Sequence, residues 1–386
     1  MQLAPAMNTK PGMIDNVRTL FTGWRARAAP SHPIGVDFAG ESLNLLQIAP
    51  SATGPLVRAA ASLPYPLPRA ELLADARALK SFVRAALASA PFAGTDVVAA
   101  LAPADVRILP LTVMVPSGQS EQQAVARAVR EQLGESAAES VVDYYQVRSA
   151  DANGNERQVL AAVAARARVL SYLDALRSAG LSPTALDIGP TAIARLLGAM
   201  HDGDFTESVL LINFGVHKSF LTVIWGRRLM LDREIDFGET QLVDKLALAL
   251  NLAPAIALAL LREHGTGSLG PSPQTGSSHG FERDVGRTIG EILHPEFTAL
   301  AEELLRTQVY VASRTRGSAV SRVYLNGSAA RYARIPERVG AMINLPVEVL
   351  DPFKAFGAMA GFTPQSGVTH GIALAAGLAL RGVPHG

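Results

Sequence analysis

The chain has 386 residues, of which 48% are apolar and 18% charged, with no cysteine and a net charge of +1. That length supports more than one hydrophobic core, and the composition excludes a disordered chain, a disulfide framework and a thiolate metal site. The near-neutral balance gives no support for general nucleic-acid binding, the eight histidines show no H-x-x-x-H spacing, and the whole fits a cytoplasmic protein.

Residues 1–30 read as an amphipathic or flexible segment without the apolar core of a signal peptide. Ile14, Val17, Leu20, Phe21 and Trp24 fall on one helical face, with Arg18, Arg25 and Arg27 around it. A basic amphipathic stretch over 13–27 suits peripheral membrane contact, or docking on its own protein.

From Pro33 to Ile48 the pattern is an apolar strand with Asp37, a small-residue turn with Gly40 and Ser42, and a second apolar strand. A further apolar segment near Val57 enters the proline-rich stretch Leu63–Pro68. Leu72, Leu73, Ala76, Leu79, Phe82, Val83 and Leu87 then recur at the spacing of one helix, closed by Pro91 and Gly94. Asp96–Leu101 reads as a buried strand. Within 105–180 the order becomes strand, helix, strand, strand, helix: Ser120 with Gln123 forms a capping box, Asn153-Gly154-Asn155 a hairpin turn, and Gly180 a helix stop. This is the composition of a small inserted α+β subdomain.

A strand and a helix follow over Leu181–Met200, and His201–Asp204 marks a polar boundary. Val209–Gly238 then reads as three successive strands, with Asn213 and Gly215 in a tight turn, Ser219 opening the second strand and Gly238 closing the third. Such a turn presents backbone N–H groups and is a place for a phosphate. Two strand–turn–strand units half a chain apart imply a duplicated architecture, 31–204 and 205–386, with one turn from each half facing a shared cleft.

Residues 239–312 read as a helical subdomain. Its charge-free run Leu246–Leu261, broken by Asn251 and Pro254, is shorter than a membrane span and reads as two core-facing helix segments. The stretch 265–280 is loop-like, and its Gly265-Thr-Gly267-Ser-Leu-Gly270 follows a helix, which excludes a dinucleotide fingerprint. Beyond it come a long helix over Glu291–Ala312, a strand Val320–Asn326 ending in Gly327-Ser328, a helix Arg338–Ile343, a strand Val347–Leu350 and a small-residue helix Gly371–Leu380.

Taken together, Ile34-Gly-Val-Asp37, the inserted subdomain with Ala179-Gly180-Leu181-Ser-Pro183 and Leu186-Asp187-Ile188, Arg233-Glu-Ile-Asp-Phe-Gly238, Val323-Tyr-Leu-Asn-Gly327, Asp351-Pro-Phe353 and Gly377-Leu-Ala-Leu-Arg381 resemble the type IV pilus assembly protein PilM family, within the actin-like ATPase superfamily. The resemblance runs from Ile34 to Arg381. It implies an α/β, duplicated ribonuclease H-like fold of two halves around a cleft, with the α+β subdomain inserted in the first half. It also implies ATP and magnesium in the cleft, held by Asp37, Gly40 and Ser42 in the first turn, Asn213, Gly215 and Ser219 in the second, and Gly238, Gly327 and Ser328 on the nucleoside side.

Several positions depart from the family pattern. Ala39 stands for a glycine, Asn44 for a lysine, Asn213 for an aspartate, and Glu239 and Ser328 for the second member of glycine pairs. An alanine Cβ is costly if the turn needs positive φ, the missing lysine removes a cation from the phosphates, and an amide cannot accept a proton from water. Hydrolysis is expected to be absent or very slow, and ATP binding weakened or lost. The resemblance then implies a cytoplasmic scaffold, peripheral to the inner membrane, that binds the cytoplasmic tail of a PilN-like membrane protein and other components of a pilus or type II secretion platform. The alternatives are an active ATPase or small-molecule kinase of this fold, and a membrane-associated filament protein similar to FtsA.

Overall fold

The first strand, β1 (Ile34–Phe38), is buried along its whole length, as a central strand with cover on both faces must be. It is followed by β2 (Ser42–Ala49) and β3 (Leu56–Pro64). In this computed structural model the described residues are 32–386 except 53, 117, 150–154, 202–206, 227, 268–279, 316–318, 359–361, 363–370, 382 and 384–386. The stretch 13–27, the turn at Asn153-Gly154 and most of the loop 265–280 therefore lie outside the described residues.

Where one helix was expected over Leu72–Leu87 there are two, α1 (Arg69–Ala74) and α2 (Ala76–Ala88). The break is Asp75, which is extended and whose carboxylate accepts the Arg77 and Ala78 N–H groups, so an N-cap interrupts an otherwise unbroken helical spacing. After β4 (Asp96–Leu101) come β5 (Val106–Met114), α3 (Glu121–Leu133), β6 (Ser140–Ser149), β7 (Glu156–Ala165) and α4 (Arg166–Ser178). The expected capping box at Ser120 and Gln123 is present. Next are β8 (Ser182–Ile188) and α5 (Gly189–Met200).

The second half opens with the three strands read from its β-branched runs: β9 (Ser208–Phe214), β10 (Ser219–Trp225) and β11 (Arg228–Ile235). Helices α6 (Glu239–Leu250) and α7 (Pro254–His264) meet at 108°, with Asn251 left-handed at the end of one and Pro254 opening the other. Among the described residues no single helix is long and apolar enough to cross a membrane. Leu246, Ala257 and Leu261 face the core as expected, but Leu248 is 83% exposed, so each helix buries only one face. Helix α8 (Gly280–Arg314) is longer than its periodicity suggested and carries Pro295 in its interior. The chain continues through β12 (Val320–Gly327), α9 (Ile335–Ile343), β13 (Val347–Val349), β14 (Gly357–Ala358) and α10 (Ala373–Ala379).

The strands form sheets of order β14-β3-β2-β1-β4-β8, β11-β10-β9-β12-β13 and β5-β7-β6. In the first two, the opening strand pairs antiparallel with the second and parallel with the fourth, and the fourth pairs parallel with the fifth. The same topology thus occurs twice, with the third sheet inserted between β4 and β8. A shared core joins the halves, with Leu46, Ile48 and Val57 in one cluster with Leu211, Ile224 and Tyr324 and with Ile193 and Ala376 of the intervening helices. Helix α10 lies so close to β1 that a Cβ on Gly35 would sit 1.9 Å from the Ala375 carbonyl oxygen.

Candidate functional site

The two turns of the duplicated units carry the residues singled out by sequence. In the first, Asp37 and Asn44 lie opposite each other in the β1–β2 register, and the Asn44 amide donates to the Asp37 carboxylate over 3.2 Å. Asn44 Oδ1 accepts from the hydroxyls of Ser62 (2.7 Å) and Ser42 (3.3 Å). The Ala39 carbonyl accepts from Tyr65, and the Phe38 carbonyl from Arg69 Nε. Burial pushes the Asp37 carboxyl up to about 6, against the smaller opposing effects of Asn44 and Arg69. Neither Ala39 nor Gly40 has a positive φ, so the condition under which an alanine at 39 would be costly is not met. A Cβ at Gly40 would stand in open space.

In the second turn the polar groups also point at one another. Asn213 Oδ1 accepts from the Asn326 amide over 2.9 Å, and the Ser219 hydroxyl donates to the Phe237 carbonyl over 2.5 Å. Gly215 and Gly238 sit where a Cβ would collide with backbone of Lys218 and His217. The first amides of α6 are used by the turn itself: Glu239 N–H donates to the Gly215 carbonyl and Thr240 N–H to that of Val216. Gly327, at φ +90, lets β12 close on Phe214, whose carbonyl accepts the Ser328 N–H. The Ser328 hydroxyl donates to the Gly215 carbonyl over 3.1 Å.

Glu239, which stands for a glycine on the nucleoside side, is not an open negative charge there. It is buried, 2.7 Å from an Arg331 nitrogen, and accepts from the Tyr332 hydroxyl. Burial and then this bond push the Tyr332 hydroxyl up to about 12.

A separate feature lies beside the inserted subdomain. The inner face of the β5-β7-β6 sheet and the β8–α5 junction enclose a cavity of about 450 Å³, lined by apolar residues including Ile108, Tyr145, Leu160, Ala162 and Leu186. The outer face of that sheet packs under α3 through Val159, Ala161 and Val163. At one end of the cavity Asp187 receives Arg195 and Arg381, each 2.9 Å away, and the Thr191 hydroxyl. Burial pushes the Asp187 carboxyl up, but the two guanidinium groups and the hydrogen bonds outweigh it and hold it below the usual range.

Sequence reasoning quoted Asp187 and Arg381 only as parts of motifs and passed over Arg195, Arg331 and Tyr332. A signal existed for one pair, since Asp187 ends a strand and Arg195 follows on the next helix, eight residues on. For Glu239 and Arg331, 92 residues apart, there was none.

Two sheets that share a five-strand topology, each with a strand–turn–strand unit and joined through a shared core, define the actin-like ATPase fold. A family described as type IV pilus assembly protein PilM matches residues 35–260, more than half of the chain. The chain belongs to that family, and its role is in type IV pilus assembly. Comparison with curated protein sequences finds no match. Among solved structures, the PilM-PilN type IV pilus biogenesis complex is similar with a TM-score of 0.72 and 21% identity, over 92% of this chain and 100% of that one. The ethanolamine utilization protein EutJ from Carboxydothermus hydrogenoformans follows at 0.49 and 15%, over 95% and 97% of the two chains. MreB5 of Spiroplasma citri bound to AMPPNP follows at 0.44 and 12%, over 83% and 92%.

Proposed function

We propose that this chain is a cytoplasmic scaffold, peripheral to the inner membrane, in the assembly platform of a type IV pilus or related type II secretion system, that it binds the cytoplasmic tail of a PilN-like membrane protein, and that its ATP binding is weakened or lost. The observation that carries the reading is the cavity of about 450 Å³ between the inserted sheet and the β8–α5 junction. A space of that size and apolar lining suits a short extended segment. Strands β6 and β8, each at the edge of its sheet, both contribute to its walls. The described solved complex of a family member with PilN supports the choice of occupant.

The reading of weakened ATP binding is supported by the side chains of the two turns, which are engaged within the protein. When bound in this fold, ATP would supply a triphosphate to the turn amides and magnesium to the acidic groups. Here the hydroxyls of Ser219 and Ser328 donate to carbonyls, Asn213 is taken by Asn326, and Asp37 is buried against Asn44.

The test is fluorescence anisotropy with a labelled peptide from the start of the PilN-like protein of the same genome, together with a calorimetric titration with magnesium-ATP. Peptide binding that Ala162→Trp abolishes, with no heat from the nucleotide, is the expected result. Tight nucleotide binding would restore the ATPase or filament reading, and a peptide that ignores Ala162→Trp would move the partner site elsewhere.

A further inference from the structure

The charged end of the cavity is unevenly compensated. Two guanidinium cations share the single buried carboxylate of Asp187, which leaves that cluster with a positive charge in excess. Arg195 is 17% exposed and divides its donors between Asp187 and the Gly377 carbonyl, 2.7 Å away. Arg381 is 39% exposed, and its contacts, to Asp187 at 2.9 Å and the Leu186 carbonyl at 3.4 Å, both run through Nη1. The remaining charged residue of the lining, Asp143, is exposed, and its Oδ1 accepts the N–H of Tyr144.

We propose that Arg381 is the residue that selects the occupant of the cavity. Through the N–H groups that Asp187 does not use, it donates to an acceptor side chain, a carboxylate or an amide carbonyl, carried within an otherwise apolar extended peptide. An all-apolar segment filling the space would strip water from the guanidinium and give nothing back. A site built to donate rejects a ligand that lacks the acceptor far more strongly than an apolar wall rejects one of the wrong size. The inference rests on the tail-binding reading of this cavity and adds the chemistry that the tail must carry.

The experiment uses the full chain and the labelled tail peptide, with copies in which each Asn, Gln, Asp or Glu is replaced by Ala. One replacement is expected to weaken binding to the wild type by about ten-fold, the factor set by leaving a buried donor unmatched. Arg381→Gln should bind the parent peptide more weakly by a similar factor, yet show no further loss with that same replaced peptide, because the two partners act as one interaction. Arg381→Lys should recover part of the affinity for a carboxylate. Thermal unfolding confirms that the variants are folded, and Arg381→Lys serves if Arg381→Gln is not. Losses that multiply, equal binding by Arg381→Gln, or a tight-binding parent without an acceptor side chain would each overturn the assignment of Arg381 while leaving tail binding intact. A wild type that binds no peptide would overturn the tail-binding reading itself, and this inference with it.

Discussion

The side-chain amide of Asn326 donates to Asn213 across the parallel β9–β12 pair, at the point where the two residues stand in register. Asn213 holds the place that an aspartate has in the family pattern, and its acceptor is used within the sheet. Asn326 is 7% exposed, and its own Oδ1 has no partner. Asn213→Ala would therefore leave both ends of a buried amide unmatched. The expected cost is about 1–3 kcal/mol, read from urea denaturation. A loss near zero would mean that water reaches this turn freely.

Glu239 ties the start of α6 to Arg331 and Tyr332. Removing one partner of a buried ion pair costs about 3–5 kcal/mol, but Arg331 is one-third exposed and can recover water. Glu239→Ala is accordingly expected to cost about 1–3 kcal/mol, again from chemical denaturation. It should also free the Tyr332 hydroxyl, so that its ultraviolet titration midpoint falls from about 12 towards an ordinary phenol. An unchanged midpoint would place the cause in burial alone.

Asp37 gives a pH signature with a definite sign. Its folded-state pKa, about 6, is above the 3.8 of an unperturbed aspartate, so the folded protein holds the proton more tightly than the unfolded chain. The stability from this group is full below 3.8 and is lost as pH rises through 6. Asp232, hydrogen-bonded to Thr222, is pushed the same way by burial and adds to the trend, so the variant comparison is the informative one. Asp37→Asn, which keeps an acceptor for Asn44, is expected to be more stable than the wild type at pH 7.5 by about 1–3 kcal/mol and equal to it near pH 4. A destabilised Asp37→Asn at pH 7.5 would show instead that the cleft uses the charge.

Gly35 tests the packing of α10 on β1. Its Cβ would sit 1.9 Å from a backbone oxygen, with no flexible side chain to yield. Gly35→Ala is expected to cost more than about 3 kcal/mol, seen as a large drop in melting temperature or in folded yield.

Much of the fold was legible because local patterns carried it. The β-branched runs after His201 gave β9 to β11, and Ser120 with Gln123 gave the start of α3. One failure came where a single residue overrides a period, since Asp75 caps a second helix inside a continuous spacing, and another where the periodic run marked only part of a helix, since α8 already begins at Gly280. The candidate site was legible only as residues, not as bonds. Asn213 and Asn326 are 113 positions apart, and nothing local to either says that they meet. The turn at Ala39 does not need the positive φ that would have made an alanine costly there.

The seat of α10 against β1 also bears on how the chain is made. Strand β1 leaves the ribosome well before residues 373–379, which cover it, are synthesised. The face of β1 beside Gly35 thus waits for its cover until synthesis has reached residue 373. During that interval the nascent first half presents an apolar sheet, the kind of surface that chaperones bind and that aggregates when they do not. Stalled or shortened products lacking α10 should be held by chaperones or degraded.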